Sequence, residues 1–177
     1  ALTFAPSDTT KTITISTIDD TVNEPTETFT VSLSATSGGA TISAGTGTIN
    51  DNDAAPSFSI GNASAVSEGG VLSFTVTRSG ATAQSYSINF ATADGSALSG
   101  SDYNATSGTL TFAPGDTSKT ISVSTIDDAV NEPTETLTVA LSGPSGGATI
   151  GTGNATGTIN DDDAAPRFAI NNAGTLA

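Results

Sequence analysis

The residues with the most chemistry to offer are acids, and they come in short clusters. IDD at Ile126–Asp128 leads into NEPTE at Asn131–Glu135, and INDDD closes the stretch at Ile159–Asp163. Glu68 stands in SEGG and Asp94 in TADGSA. Carboxylates in this number suit proton transfer or a hard cation with oxygen ligands. The usual partners of catalysis are missing. The 177 residues hold no His and no Cys, which removes Cys/His zinc sites, thiol nucleophiles and a Ser-His-Asp triad. Without cysteines there is no disulfide framework either. Arg78 and Lys119, the two bases between Ser57 and Asp163, lie outside the acidic loops, so acid/base work has no basic partner. The chain reads as a binding or structural protein and not as an enzyme.

Lys and Arg number 4 against 18 Asp and Glu, a net charge of −14, yet only 12% of residues are charged. Such a chain repels phosphate backbones and excludes nucleic acid as a partner, while it attracts cations. With so few charges overall, the acids are concentrated and do not coat the surface evenly. No apolar run is long enough to span a membrane. No signal peptide is present and the first residue is Ala, so the chain reads as a piece of something longer.

A self-comparison gives the organisation. Leu2–Ile42 recurs, largely identical, as Leu110–Ile150. Gly47–Ile60 recurs as Gly157–Ile170, with a two-residue slip in the Gly/Ser/Ala/Thr-rich stretch just before it. Residues 1–53 are therefore the C-terminal half of one repeat and 57–163 a complete repeat, joined by the linker 54–56. Residues 164–177 are a linker and the first strand of a third.

The complete repeat alternates Thr and Ser with Ile, Val, Leu and Phe at period two, the spacing of strands. The pattern predicts strands around Phe58 and Ile60, Leu72 to Val76, Tyr86 to Phe90, Leu110 and Phe112, Ile121 to Ile126, and Leu137 to Leu141. A long irregular seventh is bracketed by Ile150 and Ile159. Seven short strands separated by Gly/Asp/Asn/Pro turns predict an all-β fold of immunoglobulin-like antiparallel β-sandwich repeats in tandem. With 5% aromatic residues, the core is expected to be thin and mostly aliphatic. Residues 1–53 hold segments for the last four strands only. Their apolar residues Phe4, Ile13, Ile15, Val31 and Leu33 are expected to lack half their cover and to invite association.

Strand parity sorts the acids. If strands alternate up and down, Glu68, Asp94, Asp127, Asp128, Glu132, Glu135, Asp161, Asp162 and Asp163 all fall at one end. Asp116 falls at the other, and Asp102, in a long loop, is not placed. At ~4 Å two like charges repel by about 1 kcal/mol in water and several times that when partly buried. A divalent cation removes the conflict. Calcium, with six to eight oxygen ligands and tolerance of irregular loops, fits better than the tighter octahedron of magnesium.

Taken together, SEGG (Ser67–Gly70), TADGSA (Thr92–Ala97), GSDY (Gly100–Tyr103), GTLTFAPGD (Gly108–Asp116), STIDD (Ser124–Asp128), NEPTE and INDDD resemble the Calx-beta repeat of sodium/calcium exchangers and bacterial surface proteins. The resemblance covers nearly the whole chain. It implies calcium ligands at Glu68, Asp94, Asp127, Asp128, Glu132, Glu135, Asp161, Asp162 and Asp163, and room for several ions. In the upstream half-repeat the matching acids are Asp19, Asp20, Glu24, Glu27, Asp51 and Asp53. There Asn52 replaces one Asp, and counterparts of Glu68 and Asp94 are missing.

Only Ala54, Ala55 and Pro56 separate Asp53 from the next strand. Three residues reach at most ~10 Å, so the acidic end of each repeat should face the next. The expected function is an extracellular or cell-surface stalk or fibre segment, bacterial in origin and stiffened by calcium at its joints. Its partners are calcium ions and neighbouring repeats of the same or identical chains, with no membrane insertion. An adhesive module for carbohydrate or protein is the alternative, followed by a calcium-sensing regulatory domain.

Overall fold

A computed structural model describes residues 1–34 and 41–171. Among these residues there is no helix. Upstream, β1 (Val22–Asn23), β2 (Glu27–Val31) and β3 (Gly45–Ile49) are short, and β2 pairs with β3 antiparallel. The complete repeat contains β4 (Ser57–Ile60), β5 (Val66–Ser67), β6 (Val71–Ser79), β7 (Ala81–Thr82), β8 (Tyr86–Asp94), β9 (Ser107–Phe112), β10 (Ser118–Ser124), β11 (Glu135–Ser142), β12 (Thr149–Ile150) and β13 (Asn154–Asn160).

Apart from β7, which pairs with β1, these strands form two sheets, one ordered β10-β6-β4-β12 and one ordered β5-β13-β11-β8-β9. Strict alternation builds the interface between them. β6 buries Leu72, Phe74, Val76 and Arg78 and exposes every residue between them. Ile121 and Val123 of β10 add to the same face, and Leu137, Val139 and Leu141 of β11 oppose it. At Gly157 the sheets come so close that a Cβ would sit 2.7 Å from Leu72 Cδ1 and 2.9 Å from Phe74 Cζ, so glycine is needed there. The core is less aliphatic than its composition suggests. Tyr103, Phe58, Phe74 and Phe112 are its largest fully buried side chains, so aromatic rings occupy the centre of this core.

Both ends of the repeat split between the sheets. The first strand divides into β4 in one sheet and β5 in the other, and the irregular seventh divides into β12 and β13 in the same way. β12 pairs with β4 and β13 with β5, both in parallel. Pro56 is fully buried, and its carbonyl accepts the Thr149 N–H at 3.0 Å. The last residue of the linker is thereby built into the repeat that follows.

The half-repeat departs from the pattern its sequence predicts. Leu2–Phe4 and Ile13–Ile15, expected as two further strands, form no ladder. In the complete repeat the equivalent β9 pairs with β8, and β10 with β6. Residues 1–53 contain no counterpart of β6 or β8, so these backbone groups have no strand to bond. Phe4, Ile13, Ile15 and Leu33 are exposed as expected, while Val31 is half-buried.

Candidate metal centre

Strand pairing carries the acids of the complete repeat, Asp116 excepted, to one end. β5 runs beside β13, with Asn160 opposite Ser67, and the Glu68 N–H donates to the Asn160 carbonyl at 3.2 Å. Glu68 therefore stands next to Asp161–Asp163. Gly69 follows in the left-handed region at φ 68°, and a Cβ there would come within 3.1 Å of the Asp127 Cβ. This turn lets the Asp127–Asp128 loop close onto Glu68. Thr125 anchors that loop by donating its N–H and its hydroxyl to the Gly70 carbonyl, at 2.9 and 3.0 Å. Glu135 opens β11 opposite Ile159.

Three groups of carboxylates result, each with ligand atoms within 4.8 Å of one another: Glu68 with Asp128 and Asp163, Glu68 with Asp127 and Asp162, and Asp102 with Glu132 and Glu135. Glu68 is shared by the first two. Asp102, which strand parity does not place, enters because its carbonyl accepts the Ile126 N–H at 2.9 Å and neighbouring Tyr103 bridges to Thr125. That folds the long loop across the end of β10. The GSDY stretch is visible as a motif, but the direction of its Asp depends on this long-range contact.

Two of the expected ligands sit at the rim and are already engaged. Asp94 Oδ1 accepts the Tyr103 hydroxyl at 2.6 Å and the Ser99 N–H at 2.9 Å. Those bonds hold its carboxyl below the usual range, while burial first, and then the bond to Asp94, pushes the Tyr103 phenol up to about 12. Asp161 accepts from the Asn131 side-chain amide at 2.5 Å, and Asn131 also reaches the Asp163 carbonyl at 3.1 Å. Asn131 braces these acidic loops, and reasoning on acids alone misses it. Its recurrence as Asn23, at the same place in the upstream repeat, is the signal the sequence offers.

The electrostatics are those of an anion cluster with no cation supplied by the protein. Glu135 is raised from 4.5 to about 7, first by burial and then by Asp102, with Glu132 and Glu68 adding to it. Burial, followed by neighbouring carboxylates, likewise raises Glu68, Glu132 and Asp163. Glu68 Oε2 and Asp163 Oδ2 are buried without any hydrogen-bond partner. Unpartnered buried carboxylate oxygens are strongly unfavourable. A hard divalent cation would satisfy both, so the donor set fits the calcium that the sequence implies. Asp116, at the opposite end, is paired with Lys119 at 2.8 Å and titrates below its usual range because of that bond.

The upstream half-repeat repeats part of this geometry. Ile18, Asp19, Asp20, Glu24, Glu27, Asp51, Asn52 and Asp53 line a cavity of about 50 Å³. Burial raises Glu24 and Asp53, with their acidic neighbours adding to the effect. Asn23 donates to Asp51 at 2.7 Å and to the Asp53 carbonyl at 3.0 Å, as Asn131 does downstream. Where the complete repeat sets Asp162 close to Asp127, this one has Asn52 donating to Asp19 at 3.2 Å. An amide here does directly what two carboxylates need a cation to do.

Residues 1–53 and 51–163 match the model of the Calx-beta domain, and the chain belongs to that family. The apo-form Calx CBD1 domain superposes with a TM-score of 0.59 at 30% identity, covering 62% of this chain and all of that domain. The calcium binding domain CBD12 of CALX1.1 gives 0.58 at 30% identity, covering 66% of this chain and 50% of that one. Among curated proteins, sodium/calcium exchanger 1 of Canis lupus familiaris is 49% identical over 55 residues, 31% of this chain and 6% of the exchanger. Sodium/calcium exchanger 3 of Homo sapiens is 40% identical over 74 residues, 42% of this chain and 8% of the exchanger. The similarity thus spans a small fraction of each exchanger's length.

Proposed function

We propose that the complete repeat binds calcium at its acidic end. Glu68, Asp127, Asp128, Asp162 and Asp163 would form one group of ligands, and Asp102, Glu132 and Glu135 a second. Asp94 and Asp161 keep lone pairs available at the rim, since an ionised carboxylate accepts about four hydrogen bonds or metal contacts. The observation that carries this reading is the pair of buried, unpartnered carboxylate oxygens on Glu68 and Asp163 within shared carboxylate groups. A solved relative described as a calcium binding domain supports it. In the upstream half-repeat Asp19, Asp20, Glu24, Glu27, Asp51 and Asp53 serve the same role more weakly, because Asn52 already satisfies Asp19.

The role we assign is structural: a tandem stalk or fibre segment on a cell surface or secreted from a bacterium, with repeats 1–53 and 57–163 and the opening of a third after Pro166. Near-identical repeats, a three-residue linker and acidic loops beside that linker favour it over an adhesive module, for which a sequence with 5% aromatic residues and four Lys and Arg offers little. Similarity to exchangers favours a second reading, a calcium-sensing regulatory pair, although sensing by a pair calls for two diverged domains.

Thermal melts in chelator and in millimolar calcium test the binding. A ligand that binds only the folded state stabilises by about 2.7 kcal/mol at a hundredfold excess over Kd. An unchanged midpoint would remove the calcium reading. Small-angle scattering at matched ionic strength tests the role, because calcium should narrow the range of inter-repeat angles, whereas sodium only screens over ~8 Å at physiological strength.

A further inference from the structure

Val22–Asn23 and Val130–Asn131 are the same dipeptide at the same place in two repeats, covered in one case and open in the other. Upstream, β1 lies parallel to β7, with Val22 against Ala81 and Asn23 against Thr82. The Asn23 carbonyl accepts the Ala83 N–H at 3.1 Å. Its side chain is used at both ends. The amide nitrogen donates to Asp51 and to the Asp53 carbonyl, within its own acidic loops, and the amide oxygen accepts the Tyr86 hydroxyl of the next repeat. Tyr86 is 3% exposed and Thr82 6%. A buried tyrosine hydroxyl requires a partner, and the neighbouring repeat supplies it.

Downstream, Asn131 keeps the inner half of this arrangement, donating to Asp161 and to the Asp163 carbonyl. The outer half is unused: Val130 is 57% exposed, Asn131 is exposed, and no described residue bonds the Asn131 side-chain oxygen. We propose that the Val130–Asn131 edge is a docking site for a further copy of this repeat, entered by its Ala81–Ala83 edge and its Tyr86 hydroxyl. The contact is heterologous and head-to-tail, so it propagates along an array. It goes beyond the calcium reading, because the joint is made by hydrogen bonds that involve no ion.

The absence of cysteine makes disulfide trapping a clean test. In the full chain, Val22→Cys with Ala81→Cys, Cα partners across the ladder, should oxidise to an intramolecular disulfide and calibrate the rate. The chain is then extended after Pro166 by a second copy of residues 57–163. Val130→Cys, paired with a cysteine at the Ala81 position of the added copy, should close both in calcium and in chelator, each time at the rate of the calibrating pair under the same condition. Asn131→Ala should slow closure about tenfold, the worth of one or two hydrogen bonds. No closure, or closure equally fast with a cysteine at the Thr117 position of the added copy, overturns the proposal. Closure in calcium alone also overturns it and leaves calcium binding standing, whereas closure in chelator without any calcium-induced stabilisation does the reverse. Should the cysteines disturb folding, amide exchange in the cysteine-free extended chain decides: the Ala83 position of the added copy must be as protected as Ala83 itself.

Discussion

KTITIS at residues 11–16 and KTISVS at 119–124 differ little in sequence and entirely in structure. The second is β10, with Ile121 2% exposed and Val123 fully buried. In the first, Ile13 and Ile15 are 47% and 49% exposed and no strand forms. Phe4 and Phe112 diverge in the same way, at 55% and 0%. A third instance lies at the other end, where Phe58 and Ile60 are buried in β4 while their counterparts Phe168 and Ile170 are 96% and 99% exposed. Strand propensity is a statement about fitting a half-buried pleated surface, and these segments show it failing when that surface is missing.

Other features survive in both regions. The Asp8 carboxylate accepts the Ala5 N–H at 2.9 Å and binds Lys11 at 2.6 Å. Asp116 does the same with Ala113 at 3.0 Å and Lys119 at 2.8 Å. Asp20 and Asp128 cap the N–H of Val22 and Val130 in matching turns, at 2.8 and 2.7 Å. The Asn23 and Asn131 bridges also match. What is retained is either local in sequence or carried by the β2–β3 hairpin and its β11–β13 counterpart. What is lost needed β6 or β8.

The largest effect expected from this contrast is on core truncation. Ile121→Ala should destabilise by about 2–5 kcal/mol, as large-to-small changes in a packed core do. Ile13→Ala, at the matching position, should stay within about 0.5 kcal/mol. Chemical denaturation followed by tyrosine fluorescence measures both, and equal losses would mean that residues 1–20 are packed after all. Extending the chain upstream with a copy of residues 57–108 supplies the missing strands. Protection of the Lys11–Ser16 amides from exchange should then rise to the level of Lys119–Ser124.

Next in size is the exchange of a cation for an amide. Asp162→Asn makes the complete repeat resemble the upstream one, where Asn52 donates to Asp19. The variant should melt higher than the parent in chelator and gain less from calcium. A lower midpoint in chelator would show that Asp162 is not in conflict with Asp127.

The pH dependence should be smaller but has a definite sign. Glu135, raised from 4.5 to about 7, binds its proton more tightly when folded than when unfolded. Its contribution to stability is fully present below about pH 4.5 and is lost as pH rises to about 7. In chelator the midpoint should therefore fall over that window. With calcium the fall should vanish or reverse, because metal binding requires the deprotonated ligands. Glu135→Gln should flatten the chelator curve. A midpoint that rises with pH in chelator would contradict the burial of that carboxyl.

The smallest effect belongs to the exposed pairs. Asp8→Asn and Asp116→Asn should both leave the melting midpoint and the calcium gain close to those of the parent, since surface ion pairs contribute little. A lost calcium gain in Asp116→Asn would place the metal at the wrong end.

The order of residues alone carries the repeat, the period-two strands and the convergence of acids by strand parity. These follow from side-chain alternation and from chain direction, which sequence spacing encodes directly. The sorting of the acids into three groups, the entry of Asp102, the hydrogen-bonded position of Asp94 and the two-ended role of Asn23 are decided only by tertiary structure. Each depends on a contact between separate segments: Ile126 with Asp102, Tyr103 with Asp94, Asn23 with Tyr86. The same holds for residues 2–18, whose sequence specifies strands that the backbone does not form. A strand's hydrogen bonds lie on its neighbours, so the sequence can specify the pattern of a strand but not the presence of its partner.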